Sequence, residues 1–247
     1  MDRRGIGPRV IFRALVATLA ALLSLPALAG DRASFNAFGF SEDGRYFAFE
    51  EYGYQDGSGF PFSNIYLVDL NRDTWVSGSP FRVMDQDEAA RLSVVREQAY
   101  ADAQHALHSA GIDYPAEIAA LNGDGALGSD GKSLHFGLPS DGLTEPRGDY
   151  TVSIETFPTT SPEPCEDYMG EAPLGFALTI NEGGADRELH RDEALPSSRG
   201  CPMDYRISAV LTPIWSSALD HSVAIVSVYP FGFEGPNRRF IAVPIGH

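Results

Sequence analysis

Short runs of alternating apolar and aromatic residues, separated by clusters of glycine and proline, recur along this chain and restrict it to a mainly β fold. Ser34–Phe40, Arg45–Glu51 and Asn64–Leu70 open the series. Ser133–Leu138, Tyr150–Phe157, Leu174–Ile180, Ala185–His190, Tyr205–Leu211, Ser222–Tyr229 and Arg239–Val243 complete it. Each has the length of a strand, and successive side chains of a strand point to opposite faces, so one face can be buried. Asp43-Gly44 between the first two runs is a hairpin signal. Asn71-Arg72-Asp73 turns the chain back toward Trp75, so the first segment reads as an antiparallel meander.

One stretch breaks the pattern. From Asp85 onward, Ala89, Leu92, Val95, Ala99, Ala103, Ala106 and Ala110 recur every three or four residues, the stripe of an amphipathic helix at about 86–110. Asp85 and Glu88 stand at capping-box spacing, and Gly111 is a natural stop. The segment Ser41-Glu42-Asp43-Gly44-Arg45-Tyr46-Phe47 also has echoes, in Ser129-Asp130-Gly131-Lys132-Ser133-Leu134 and, more loosely, in Asp220-His221-Ser222-Val223. The three aspartates lie roughly 90 residues apart, the interval of every second propeller blade. The expected fold is mainly β, with antiparallel sheets in a β-propeller-like arrangement and one long inserted α-helix; a two-sheet β-sandwich is the alternative.

Ahead of the first strand, Arg3, Arg4, Arg9 and Arg13 lead into an apolar run from Ala14 to Leu25, followed by Ala27-Leu28-Ala29. That order makes a secretory signal peptide of residues 1–29 and leaves 30–247 as a single mainly β secreted domain, periplasmic or released. A lasting span takes about 20 apolar residues, and Pro26 ends this run well short of that. The formal net charge of −16 repels nucleic acid and anionic membranes, and loss of the arginine-rich leader deepens it. Lys132 is the only lysine, which leaves few amines for Schiff-base or phosphate-loop chemistry. Cys165 and Cys201 lack Cys-x-x-Cys spacing, and in an oxidising compartment an even pair of this kind is expected to form a structural disulfide.

Residues 41–70, from Ser41-Glu42-Asp43-Gly44-Arg45-Tyr46-Phe47-Ala48-Phe49 through Ile65-Tyr66-Leu67-Val68-Asp69-Leu70, resemble a blade of the TolB-type periplasmic propellers, which implies fold alone. Over nearly the whole mature length the chain resembles domain of unknown function 2259, an uncharacterised family of predicted secreted bacterial proteins. The likeness is carried by Tyr52-Gly53 with Gln55-Asp56-Gly57-Ser58-Gly59-Phe60-Pro61, by Ser198-Arg199-Gly200-Cys201-Pro202, and by Tyr229 to Arg239. It implies export and a shared architecture, and it brings no activity and no catalytic residue.

The residues offer little catalytic chemistry. Ala126 to Ser133 imitates a phosphate loop, but Ala126 replaces the first glycine, Asp130 would repel phosphate, and a strand follows where a helix must begin. His105 and His108 share a helix face without a third ligand, and the Asn122, Asp124 and Asp130 loop lacks the spacing of a calcium loop, so no metal and no cofactor are expected. Glu50, Glu51, Asp56 and Glu234 are the carboxylates from which a glycosidase pair would be drawn. Two aromatic loops stand out instead. Tyr52, Tyr54, Asp56, Phe60 and Phe62 lie on the first, and Tyr229, Phe231, Phe233, Glu234, Arg238 and Arg239 on the second. Loops carried by rigid sheets are where binding residues concentrate. The leading expectation is therefore a non-enzymatic binding or scaffolding module of the cell envelope, with Arg238 and Arg239 as anchors for an acidic group on an envelope protein or glycan. No nucleic-acid partner and no membrane span after signal cleavage are expected. An envelope carbohydrate hydrolase and a purely structural envelope protein are the alternatives.

Overall fold

The computed structural model describes residues 30–214 and 216–246, so the leader expected over 1–29 lies outside the described residues. In the first sheet β1 (Ser34–Ser41), β2 (Tyr46–Tyr54) and β3 (Pro61–Asp69) form the expected meander. Beyond β3, β4 (Thr74–Trp75) pairs with one end and β5 (Phe81–Met84) with the other, while β6 (Ile112–Tyr114) adds to β1. A second sheet runs in the order β14 (Arg239–Pro244), β13 (Val223–Pro230), β12 (Pro202–Pro213), β7 (Ala116–Leu121). The third runs β11 (Ala185–Arg191), β10 (Leu174–Glu182), β9 (Arg147–Pro158), β8 (Ser133–Leu138). All of these pairings are antiparallel.

The second sheet lies between the other two, and its sequence shows why. Along β13, Val223 and Ile225 pack toward the first sheet, whereas Ala224, Val226 and Val228 pack toward the third. A strand covered on both faces must be apolar at nearly every position, and each such side chain contributes about 1.5–3 kcal/mol by burial. The helix α1 (Leu92–Ser109) covers the outer face of the first sheet, where Ala99, Ala103 and Leu107 meet Ala48, Ile65 and Leu67. The layers thus run helix, sheet, sheet, sheet.

Several expectations are corrected here. The sheets stack in three layers; among the described residues they close into no propeller or barrel, and the third sheet exceeds a two-sheet sandwich. The three echoed turns each lead into one sheet, through β2, β8 and β13, so the repeat marks sheets and not alternate blades. The helix begins at Leu92, after Arg91, with no side-chain cap. Asp85 and Asp87 instead accept the N–H groups of Asp87 and Ala89, a local bonding that holds the preceding chain in turns. Gly111 does end the helix region, with φ +67°. Cys165 and Cys201 are bonded, which ties the short helix α2 (Cys165–Met169) to the start of β12.

Candidate functional site

Residues directly opposed across antiparallel strands share a face. Glu51, Asn64 and Arg82 are in register across β2, β3 and β5. Phe49 meets Tyr66 in the next row, and Phe47, Val68 and Trp75 form the one after it. These rows face the second sheet at its edge strand β14, while the third sheet adds His190 from its edge strand β11 and the connector around Ser198 to Gly200. Three sheet edges therefore border one cleft of about 570 Å³. Small-molecule sites occupy roughly 300–1,000 Å³.

One wall is aromatic. Phe49 and Tyr66 stack at 4.8 Å, Tyr66 meets Trp75 at 5.4 Å, and Trp75 is 44% exposed. Behind it lies Glu51, which is buried. Its carboxylate accepts from the Tyr66 hydroxyl at 2.8 Å, from Asn64 Nδ2 at 3.0 Å and from the Phe240 backbone N–H at 3.1 Å. Burial, aided by the Glu51 charge, pushes the Tyr66 hydroxyl far above its ordinary value and keeps it a donor.

The facing wall is a cluster of ion pairs. His190 Nε2 lies 3.0 Å from Asp192 Oδ1, and Nδ1 lies 3.5 Å from Asp73 Oδ2 in the β3–β4 turn of the first sheet. Asp192 Oδ2 accepts the Phe176 N–H at 3.0 Å and Arg199 Nη1 at 3.2 Å. Burial opposes a charge on His190, but the hydrogen bonds and charges of Asp192 and Asp73 outweigh it and raise the ring to about 9. For Asp192 burial again works against the charged form, and His190, Arg199 and the Phe176 N–H hold the carboxyl below its ordinary value. His190 is therefore charged at neutral pH, and this cluster joins the first sheet to the third.

The two loops expected to bind do approach each other. Asp31 joins them, its carboxylate accepting the Asp56 N–H at 2.7 Å and Arg239 Nη2 at 2.9 Å. The neighbouring Asp56 carboxyl, by hydrogen bonding and by its charge, raises Glu234 above its ordinary value. Pro230, Asn237 and Arg239, at the base of the second loop, line the cleft. The aromatic residues divide. Tyr54, Phe231 and Phe233 are exposed, and Phe233 almost completely so at 99%. Phe62 is buried under the Arg239 guanidinium, and half-buried Tyr52 and Tyr229 lie under Arg96 and Arg206. Phe60 is half-buried as well. The first loop is also shorter than expected, because β2 and β3 extend through Tyr54 and from Pro61.

Arg238 and Arg239, expected as free anchors, already have partners. Arg238 holds Asp124 at 2.6 and 2.7 Å and donates to the Ala33 carbonyl, while Arg239 pairs with Asp31. Asp124 is thereby committed to arginine, and Arg32 is its second partner. Lys132, in the phosphate-loop imitation, donates to Asp204 and to the Tyr205 carbonyl, and the strand β8 follows it. Glu50 and Glu51 point to opposite faces, Glu50 being buried against Arg96 of α1 at 2.7 Å. Asp56 and Glu234 act on one another in the loops, and neither is among the residues that line the cleft. Among the described residues no group of three or more His, Cys, Asp or Glu side chains is arranged to hold a metal ion. No helix among them is long and apolar enough to cross a membrane.

Reading the sequence places Asp73 in a turn, His190 at a strand end and Arg199 in a family motif, but singles out none of these, nor Trp75, Arg82 or Asp192, as a site residue. His190 and Asp192 do carry a faint signal, since residues two apart at a strand end share a face. Nothing in the sequence shows that Asp73 meets them.

A family model described as predicted secreted protein (DUF2259) matches residues 48–246. No curated protein and no solved structure matches the chain, and the TolB-type likeness of residues 41–70 is matched by none of these comparisons.

Proposed function

Because the chain belongs to the DUF2259 family of predicted secreted proteins, we propose for it a role outside the cytoplasm, as a non-catalytic binding protein of the cell envelope whose small-molecule ligand seats in the three-edge cleft. The cleft itself is the observation that carries this reading: an exposed indole, an aromatic wall and Arg82 on one side, ion-paired His190 and Arg199 on the other, and a volume suited to a small ligand. Its ionisable groups favour holding over reacting. Glu51 is hydrogen-bonded on both oxygens, and a His190 kept charged by two carboxylates makes a poor base near neutral pH. The bonded cysteine pair suits an oxidising periplasm. A cleft and exposed aromatic tips weigh against a purely structural envelope protein.

Native mass spectrometry of the oxidised protein, incubated with the low-mass fraction of an envelope extract, tests the proposal. Wild type is expected to retain an adduct that Trp75→Ala loses and that a Tyr54→Ala, Phe231→Ala, Phe233→Ala triple variant keeps. No adduct on wild type would count against the proposal. The near-complete exposure of Phe233, together with the exposure of Tyr54 and Phe231, favours a second reading in which the loop tips seat a partner protein. Loss of binding in the triple variant alone would favour that reading.

A further inference from the structure

The ligand class can be narrowed from the charges in the cleft, on the premise that the cleft is a binding site. Arg199 and Arg239 are neutralised by Asp192 and Asp31. Arg82 forms no ion pair among the described residues, and its guanidinium lies over the Trp75 ring at 6.0 Å. Arg82 stands opposite Asn64 and Trp75 opposite Val68, so the uncommitted cation and the open indole lie side by side along β3, while the Tyr66 hydroxyl between the two rows is spent on Glu51. A guanidinium is a planar fork that matches a carboxylate. The negative face of an indole takes a flat apolar surface, either another ring or the C–H face of a sugar. A chain of net charge −16 repels polyanions strongly and a single carboxylate weakly.

We infer that the cleft takes a small monocarboxylate carrying a flat face, a uronic acid sugar or an aromatic acid, with the carboxylate on Arg82 and the flat face on Trp75. Arg82 lies on an exposed edge strand with no salt bridge to lose among the described residues, so its removal leaves the core intact.

Isothermal titration of the oxidised chain with glucuronate and with benzoate tests this, with glucose and benzyl alcohol as their uncharged counterparts. One acid is expected to bind, and which one identifies the source. Its neutral counterpart should bind at least about tenfold more weakly, and Arg82→Ala should weaken the acid by a similar factor, as expected for a charge-assisted fork. Arg82→Lys should restore part of the loss. Failure of both acids to bind, or an Arg82→Ala affinity equal to wild type, overturns the inference. If wild type still retains a Trp75-dependent adduct from envelope extract, the binding reading stands and the ligand class alone falls. If no adduct forms either, both fall.

Discussion

Burial and pairing pull the His190 ring in opposite directions, and its two carboxylates prevail. A histidine raised from 6.5 to about 9 stabilises the fold fully below its unfolded value and loses that contribution as pH rises through about 9. Asp192, held low, gives the opposite limb, with stability lost as pH falls through its depressed value. NMR titration of the ring is expected to give a value near 9, and His190→Gln should flatten the alkaline decline of the melting temperature. An ordinary value near 6.5 would mean that Asp73 and Asp192 do not hold the ring. Glu51 supplies a second prediction at this scale. Glu51→Ala leaves the Tyr66 hydroxyl and the Phe240 N–H without their shared acceptor, and denaturant unfolding should register a loss of about 2–4 kcal/mol. The sequence already implies that Glu50 and Glu51 face opposite ways, because strand side chains alternate. It does not say that a helix waits on one side and a cleft on the other.

Among the elements, α1 is held by one ion pair, half-exposed at Arg96 and buried at Glu50, and by a stripe of small residues. Arg96→Ala strands Glu50 in the core and is expected to cost about 3 kcal/mol, measured by denaturant unfolding. A change below about 0.5 kcal/mol would place that pair among ordinary surface contacts. The disulfide spans 36 residues and fixes the connector bearing Arg199. Its removal by paired Cys165→Ser and Cys201→Ser changes should lower stability by about 3–4 kcal/mol in the chain-entropy picture. The longer strands were legible because their alternation is strong. The two-residue β4 was legible as the turn back toward Trp75, whereas the small-residue run Ala116–Leu121 of β7 was not, since it acquires its form from β12, far away in sequence. The start of the helix was misread because its acidic prelude fits a cap and a pair of turns equally well until geometry decides.

At the scale of the molecule, each echoed turn leads into a different sheet, where the spacing points to alternate blades of a propeller; spacing alone does not say whether such segments ring an axis or stack. The middle layer is built mainly from β12 to β14, last in the chain, so the stacking order rests on contacts far apart in sequence. The same long-range packing brings Asp73, His190 and Arg239 to one cleft, which explains why the loops were visible in the sequence and the cleft was not. Hydrogen–deuterium exchange of the oxidised protein, with and without the low-mass envelope fraction, tests the claim of a cleft ligand most directly. Protection is predicted in β3 to β5, in residues 196–200 and in β14. Protection confined to the tips of the two aromatic loops, or absent altogether, would contradict it.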